Sequence, residues 1–106
     1  MGMTRRALAG ALGLLLPIAA RAEEAVVNID NFVFSPAEIT IKAGSKLTWT
    51  NRDDIPHAVA SAASPPVFRS KALDTDDSYA FVFDRPGRYP YFCSLHPHMQ
   101  GVVVVV

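Results

Sequence analysis

The sequence predicts an all-β fold, a Greek-key β-sandwich of seven to eight strands behind an N-terminal signal peptide, in a chain of 106 residues. Three observations lead there. From Glu23 onward the apolar residues recur with period two, turn residues break the pattern at short intervals, and no stretch sustains a helical period. About 84 residues divided in this way match a two-sheet sandwich and leave no room for a two-domain enzyme.

Ala25 to Ile29 and Phe32 to Phe34 open the fold, separated by Asp30 and Asn31, and Pro36 interrupts pairing before a third strand at Glu38 to Lys42. Ala43-Gly44-Ser45 reads as a turn. In Lys46 to Asn51 the alternation places Leu47, Trp49 and Asn51 on one face and Lys46, Thr48 and Thr50 on the other. A short loop through Arg52 to Pro56 leads to His57, and Ser61 to Ser70, with Pro65-Pro66, is the longest irregular stretch. Tyr79, Phe81 and Phe83 share a face, and Asp84-Arg85-Pro86-Gly87 predicts a hairpin into Arg88 to Phe92. Val102 to Val106 are β-branched without alternation, as expected of a last strand covered on both sides or lying at a sandwich edge.

Ten basic and ten acidic residues balance over the whole chain, which gives no footprint for nucleic acid. The balance is uneven along its length. Met1 to Arg6 form a positive segment, Ala7 to Ala20 an apolar one, and Ala20-Arg21-Ala22 a small-x-small cleavage site, so residues 1–22 read as a signal peptide and 23–106 as the mature domain. Its removal leaves seven bases against ten acids, a mildly acidic protein. The apolar run is shorter than the roughly 20 residues of a spanning helix, so no stable membrane anchor is expected. Thr4-Arg5-Arg6 also resembles a twin-arginine export signal.

A single cysteine in an exported chain excludes an intramolecular disulfide, and its neighbours point to a chemical use. Cys93, His96 and Met99 stand three apart in the segment between the aromatic strand and the valine strand. A thiolate, an imidazole and a thioether are soft or intermediate donors, and a short loop can curl them around one centre where an extended strand would face them apart. Copper is the natural occupant, because a thiolate and two imidazoles in a plane, with a long axial thioether, serve both Cu(I) and Cu(II). A zinc site is chemically possible but leaves Met99 unexplained. The second imidazole comes from His57 or His98. His57 is the better candidate, since His98 lies between His96 and Met99 and could bind only by displacing the latter.

Thr50-Asn51-Arg52-Asp53-Asp54-Ile55-Pro56-His57, followed by Gly87-Arg88-Tyr89-Pro90-Tyr91-Phe92-Cys93-x-x-His96-Pro97-x-Met99, resembles the amicyanin branch of the cupredoxins. The resemblance covers nearly all of the mature chain. It implies one type 1 (blue) copper ion held by His57, Cys93, His96 and Met99, with Asn51 bracing the cysteine loop against the loop of the first ligand. It further implies a monomer in the periplasm that carries single electrons between weakly docking redox proteins, a periplasmic dehydrogenase as donor and a c-type cytochrome as acceptor. Leu95 and His98 depart from amicyanin itself, where proline and a bulky aromatic are expected, and they leave the partners open.

A cysteine-based enzyme is disfavoured, since nothing here matches a cysteine-hydrolase signature and Met99 would have no use in it. A copper oxidase would place histidines beside the cysteine, where Phe92 and Ser94 stand. Copper carriage or storage is the remaining alternative, because the same donors bind Cu(I).

Overall fold

The computed structural model describes residues 22–106, so the expected signal peptide lies outside the described residues apart from Ala22. The described chain is all β. Its eight strands are β1 (Glu24–Asp30), β2 (Val33–Ser35), β3 (Glu38–Ile41), β4 (Ser45–Asn51), β5 (Ala60–Ser61), β6 (Ser78–Phe83), β7 (Gly87–Phe92) and β8 (Gln100–Val105). They form two four-stranded sheets, ordered β2-β1-β4-β6 and β3-β8-β7-β5. β1 runs parallel to β4 and β3 parallel to β8, while the other neighbours are antiparallel.

The period-two pattern decides which side of each strand is covered. In β4, Leu47, Trp49 and Asn51 are fully buried, as the alternation requires. Trp49 is the hub of the core: its ring stacks on Phe68 and Tyr79 and meets Tyr91 edge-on, with centroids 5.4, 5.8 and 5.4 Å away. Such pairs add about 0.5–1.5 kcal/mol each beyond the area they bury. The valine strand β8 is central in its sheet, with Val103 and Val105 in the core and Val102 and Val104 half or more covered on the opposite face.

Two local expectations are corrected. The turn at Asp84–Gly87 does not close a hairpin, because β6 pairs with β4 and β7 pairs with β8 and β5, so the chain changes sheets there. The aromatic faces explain it. Phe83 of β6 and Tyr89 of β7 meet ring to ring at 5.1 Å, joining the two sheets across the core. Phe32 is not a strand residue either, since it occupies the second position of the two-residue turn between β1 and β2.

Three connections meet at one end of the sandwich: the β1–β2 turn, the β4–β5 loop, which changes sheets, and the β7–β8 loop. These carry all the chemistry-bearing residues singled out above.

Across β7 and β8 the Tyr91 ring lies over Gly101, its cross-strand partner, and a Cβ at position 101 would stand 2.5 Å from the ring and its hydroxyl. Tyr91 is itself held by Phe34 at 4.7 Å, so it cannot swing away. Gly101→Ala is expected to destabilise the copper-free protein by about 1–3 kcal/mol in urea unfolding. Burial pushes the Tyr91 phenol up to about 12 against a smaller opposing influence of the Trp49 indole, and among the described residues neither Tyr91 Oη nor Trp49 Nε1 has a hydrogen-bond partner. The folded state therefore holds this proton more tightly than the unfolded chain. Its contribution to stability is complete below pH 10 and is lost as the pH rises through 12. Tyr91→Phe is expected to fold at neutral pH without loss and to lack that part of the alkaline decline in a denaturation series.

Candidate metal centre

The Cys93-to-Met99 segment is two successive turns. His96 N–H donates to the Cys93 carbonyl at 3.2 Å and Met99 N–H donates to the His96 carbonyl at 2.9 Å. Bonds of this i to i+3 kind bring every third side chain to the same side, which is what the spacing of Cys93, His96 and Met99 exploits. Cys93 N–H donates back to the Met99 carbonyl at 3.1 Å and closes the loop at its base. Cys93 and Met99 are buried, His96 is partly exposed, and His98 is turned to solvent.

His57 arrives from the β4–β5 loop. Its backbone exchanges two hydrogen bonds with Leu73, at 3.1 and 2.7 Å, and its side chain is fully buried. Its Nδ1 lies 3.7 Å from Cys93 Sγ, and His96 Nδ1 lies 3.8 Å from the same sulfur. All three donor atoms fall within 4.8 Å of one another. Metal–sulfur and metal–nitrogen bonds of about 2.3 and 2.0 Å place S and N about 3.7 Å apart at 120° and about 3.5 Å apart at the tetrahedral angle. The observed separations of 3.7 and 3.8 Å are those of donors that share one metal ion. With a buried thioether beside them, these donors fit one copper ion better than tetrahedral zinc.

The sulfur accepts a hydrogen bond from Ala58 N–H at 3.3 Å, which ties the His57 segment to the cysteine loop. The sequence reading gave that task to Asn51. Asn51 instead spends both amide hydrogens on the carbonyls of Ile55 and Leu73, each at 2.9 Å, and its oxygen on Asp53 N–H at 2.9 Å. It shapes the 52–56 loop, and none of these three bonds reaches the cysteine loop.

Asp53 is the residue that sequence reasoning missed. Its carboxylate lies 2.7 Å from His57 Nε2 and also accepts from the N–H groups of Asn31, at 2.7 Å, and Phe32, at 3.1 Å. Desolvation works to raise its pKa, but hydrogen bonds from Asn31, Phe32 and His57, with a smaller one involving Asp30, outweigh it and bring it down to about 2. An ionised carboxylate on Nε2 fixes the ring and keeps Nδ1 aimed at the sulfur. No local motif marks this role, because the β1–β2 turn that shares the carboxylate is more than 20 residues away. Phe32, whose ring packs on both histidines, was missed for the same reason.

Two sheets with a cysteine sulfur and two imidazoles gathered at one end define a small β-sandwich metal protein. The profile of the Cupredoxin-like domain family matches residues 6–105. The chain is 38% identical over 95 residues to amicyanin of Paracoccus versutus, covering 84% of this chain and 72% of that protein. It is 38% identical over 106 residues to chloroplastic plastocyanin of Tetradesmus obliquus, covering 88% and 73%. A solved amicyanin variant in its Cu(I) form superimposes with a TM-score of 0.74 at 31% identity, over 78% of this chain and 82% of that one. The chain belongs to the cupredoxin family, in its amicyanin- and plastocyanin-like branch.

Removing the carboxylate that orients His57 is expected to weaken metal binding. Asp53→Ala should lower Cu(II) affinity about ten- to a hundredfold, measured by competition with a chelator, while the far-ultraviolet circular dichroism keeps its β signature.

Proposed function

We propose that this protein is a type 1 copper electron carrier with His57, Cys93 and His96 as equatorial ligands and Met99 as the axial one. The observation that carries this reading is the pair of sulfur–nitrogen separations, 3.7 and 3.8 Å, held by a protein that already contains the donors in place. Bound copper supplies a one-electron couple between Cu(I) and Cu(II). The protein's part is to keep its ligands still. His57 is pinned by Asp53 and by Leu73, Cys93 by Ala58 N–H and the end of β7, and Met99 by the closed loop.

His96 is the only one of the four that reaches solvent, so it is the side from which an electron enters and leaves. Pro56, Leu95, Pro97 and His98 are exposed in the same two ligand loops. An exposed and largely apolar surface around the site suits partners that dock weakly and release quickly. The partners are other redox proteins, a c-type cytochrome and a periplasmic dehydrogenase among them, and the site of action is the periplasm, reached through the export signal read in residues 1–22. The chain acts as a carrier and performs no catalysis of its own.

Optical and paramagnetic-resonance spectra of the Cu(II) protein test this reading. An intense thiolate-to-copper absorption with a small copper hyperfine splitting is expected, and Cys93→Ala should abolish both. A colourless wild-type protein with ordinary tetragonal copper signals would reject electron carriage and favour copper storage.

A further inference from the structure

We propose that Phe32 is a positioning residue of the metal centre: its ring holds the partly exposed His96 imidazole in one orientation, and Asp53 fastens it in place. The inference rests on the reading of His57 and His96 as ligands.

The backbone first draws attention to this residue. Asp30 pairs with Val33, so Asn31 and Phe32 alone form the turn between β1 and β2, with φ of 53° and 62°. A two-residue hairpin of this type asks for positive φ at both positions, and Asn-Gly is its preferred pair. Asparagine stands where expected. A phenylalanine stands where glycine belongs, in a region that bulky L-residues avoid. Strain of this kind persists where surrounding structure enforces it, and it concentrates at functional sites.

The enforcement is visible. One Asp53 oxygen accepts from Asn31 N–H, and the other accepts from Phe32 N–H while lying 2.7 Å from His57 Nε2. The turn and a ligand histidine are thus bound to the same carboxylate. Its effect is to set the Phe32 ring edge-on to both imidazoles, with centroids 5.4 Å from His57 and 5.2 Å from His96, at interplanar angles of 89° and 85°. The two imidazoles are themselves 5.0 Å apart, so a single ring spans ligands supplied by different loops.

His57 has little need of the contact, being buried and hydrogen-bonded at Nε2. Among the described residues the His96 ring shows a polar contact only at Nδ1, to Cys93 Sγ, and it sits partly exposed on a short loop. Its other ring neighbour outside the ligand set, His98, is exposed and farther away at 6.5 Å. Phe32 is therefore what restrains the outer imidazole sideways. A ligand held in one orientation before the metal binds, and in both oxidation states, need not reorganise as an electron crosses.

Phe32→Gly and Phe32→Tyr test the assignment. Glycine relieves the turn, so the variant should fold with an unchanged or higher melting temperature. In the copper-free protein with labelled histidine, nuclear magnetic resonance should show one His96 side-chain rotamer in wild type and rotamer averaging in Phe32→Gly. In the copper-loaded protein the electron self-exchange rate should fall about tenfold in that variant, and Phe32→Tyr should restore both properties. A Phe32→Gly protein with a single His96 rotamer and an unchanged exchange rate would overturn the proposal. The copper-free measurement keeps the two readings apart. A wild-type protein lacking the thiolate colour rejects electron carriage, whereas the rotamer result decides the role of Phe32 by itself.

Discussion

Everything at the working end of this protein is arranged around one buried sulfur. A thiol in an apolar interior behaves as an inert hydrophobe, whereas a thiolate there requires hydrogen-bond donors and a cation. Cys93 Sγ has a backbone N–H from Ala58 and two imidazole nitrogens within 4 Å, the N–H and one imidazole from the His57–Ala58 segment and the other imidazole from its own loop. Strand β7 brings it there with Tyr91 on the same inward face, so the position of the sulfur is set by the packing of the core. The loops then converge on it. A metal completes the group by satisfying all three donors at once.

Much of the architecture could be read from alternation alone. The buried set Leu47, Trp49 and Asn51 follows directly from period two, and of the two places that the unalternating valines of β8 allowed, covered on both sides or at an edge, the strand takes the first. The crossing between β6 and β7 was not legible, since Asp-Arg-Pro-Gly marks a reversal of direction without saying whether the next strand lies beside the last or opposite it. Aromatic faces on both strands decide the matter, and that is a fact of tertiary packing. Phe32 was misread because an aromatic beside Val33 and Phe34 has strand propensity, and the turn overrides it.

In the site itself, spacing revealed the cysteine loop because its geometry is local, built from two consecutive turns. The role of Asp53 was hidden because its partners come from the β1–β2 turn and from His57 together. Asn51 shows the converse, a residue correctly noticed whose bonds serve a neighbouring loop. Local spacing identifies donors well. The groups that orient those donors belong to other elements, and only the folded chain brings them near.

The hydrogen bond from Cys93 N–H to the Met99 carbonyl makes the ligand loop a ring closed at its neck, just where β7 ends and β8 begins. Beyond the neck, the two strands keep their register through Phe92 and Gln100 whatever the ring contains. Changes in the number or kind of residues between Cys93 and Met99 are therefore absorbed inside the ring and do not slip the sheet. The metal's surroundings and the sheet behind them are thus separable parts of the same chain.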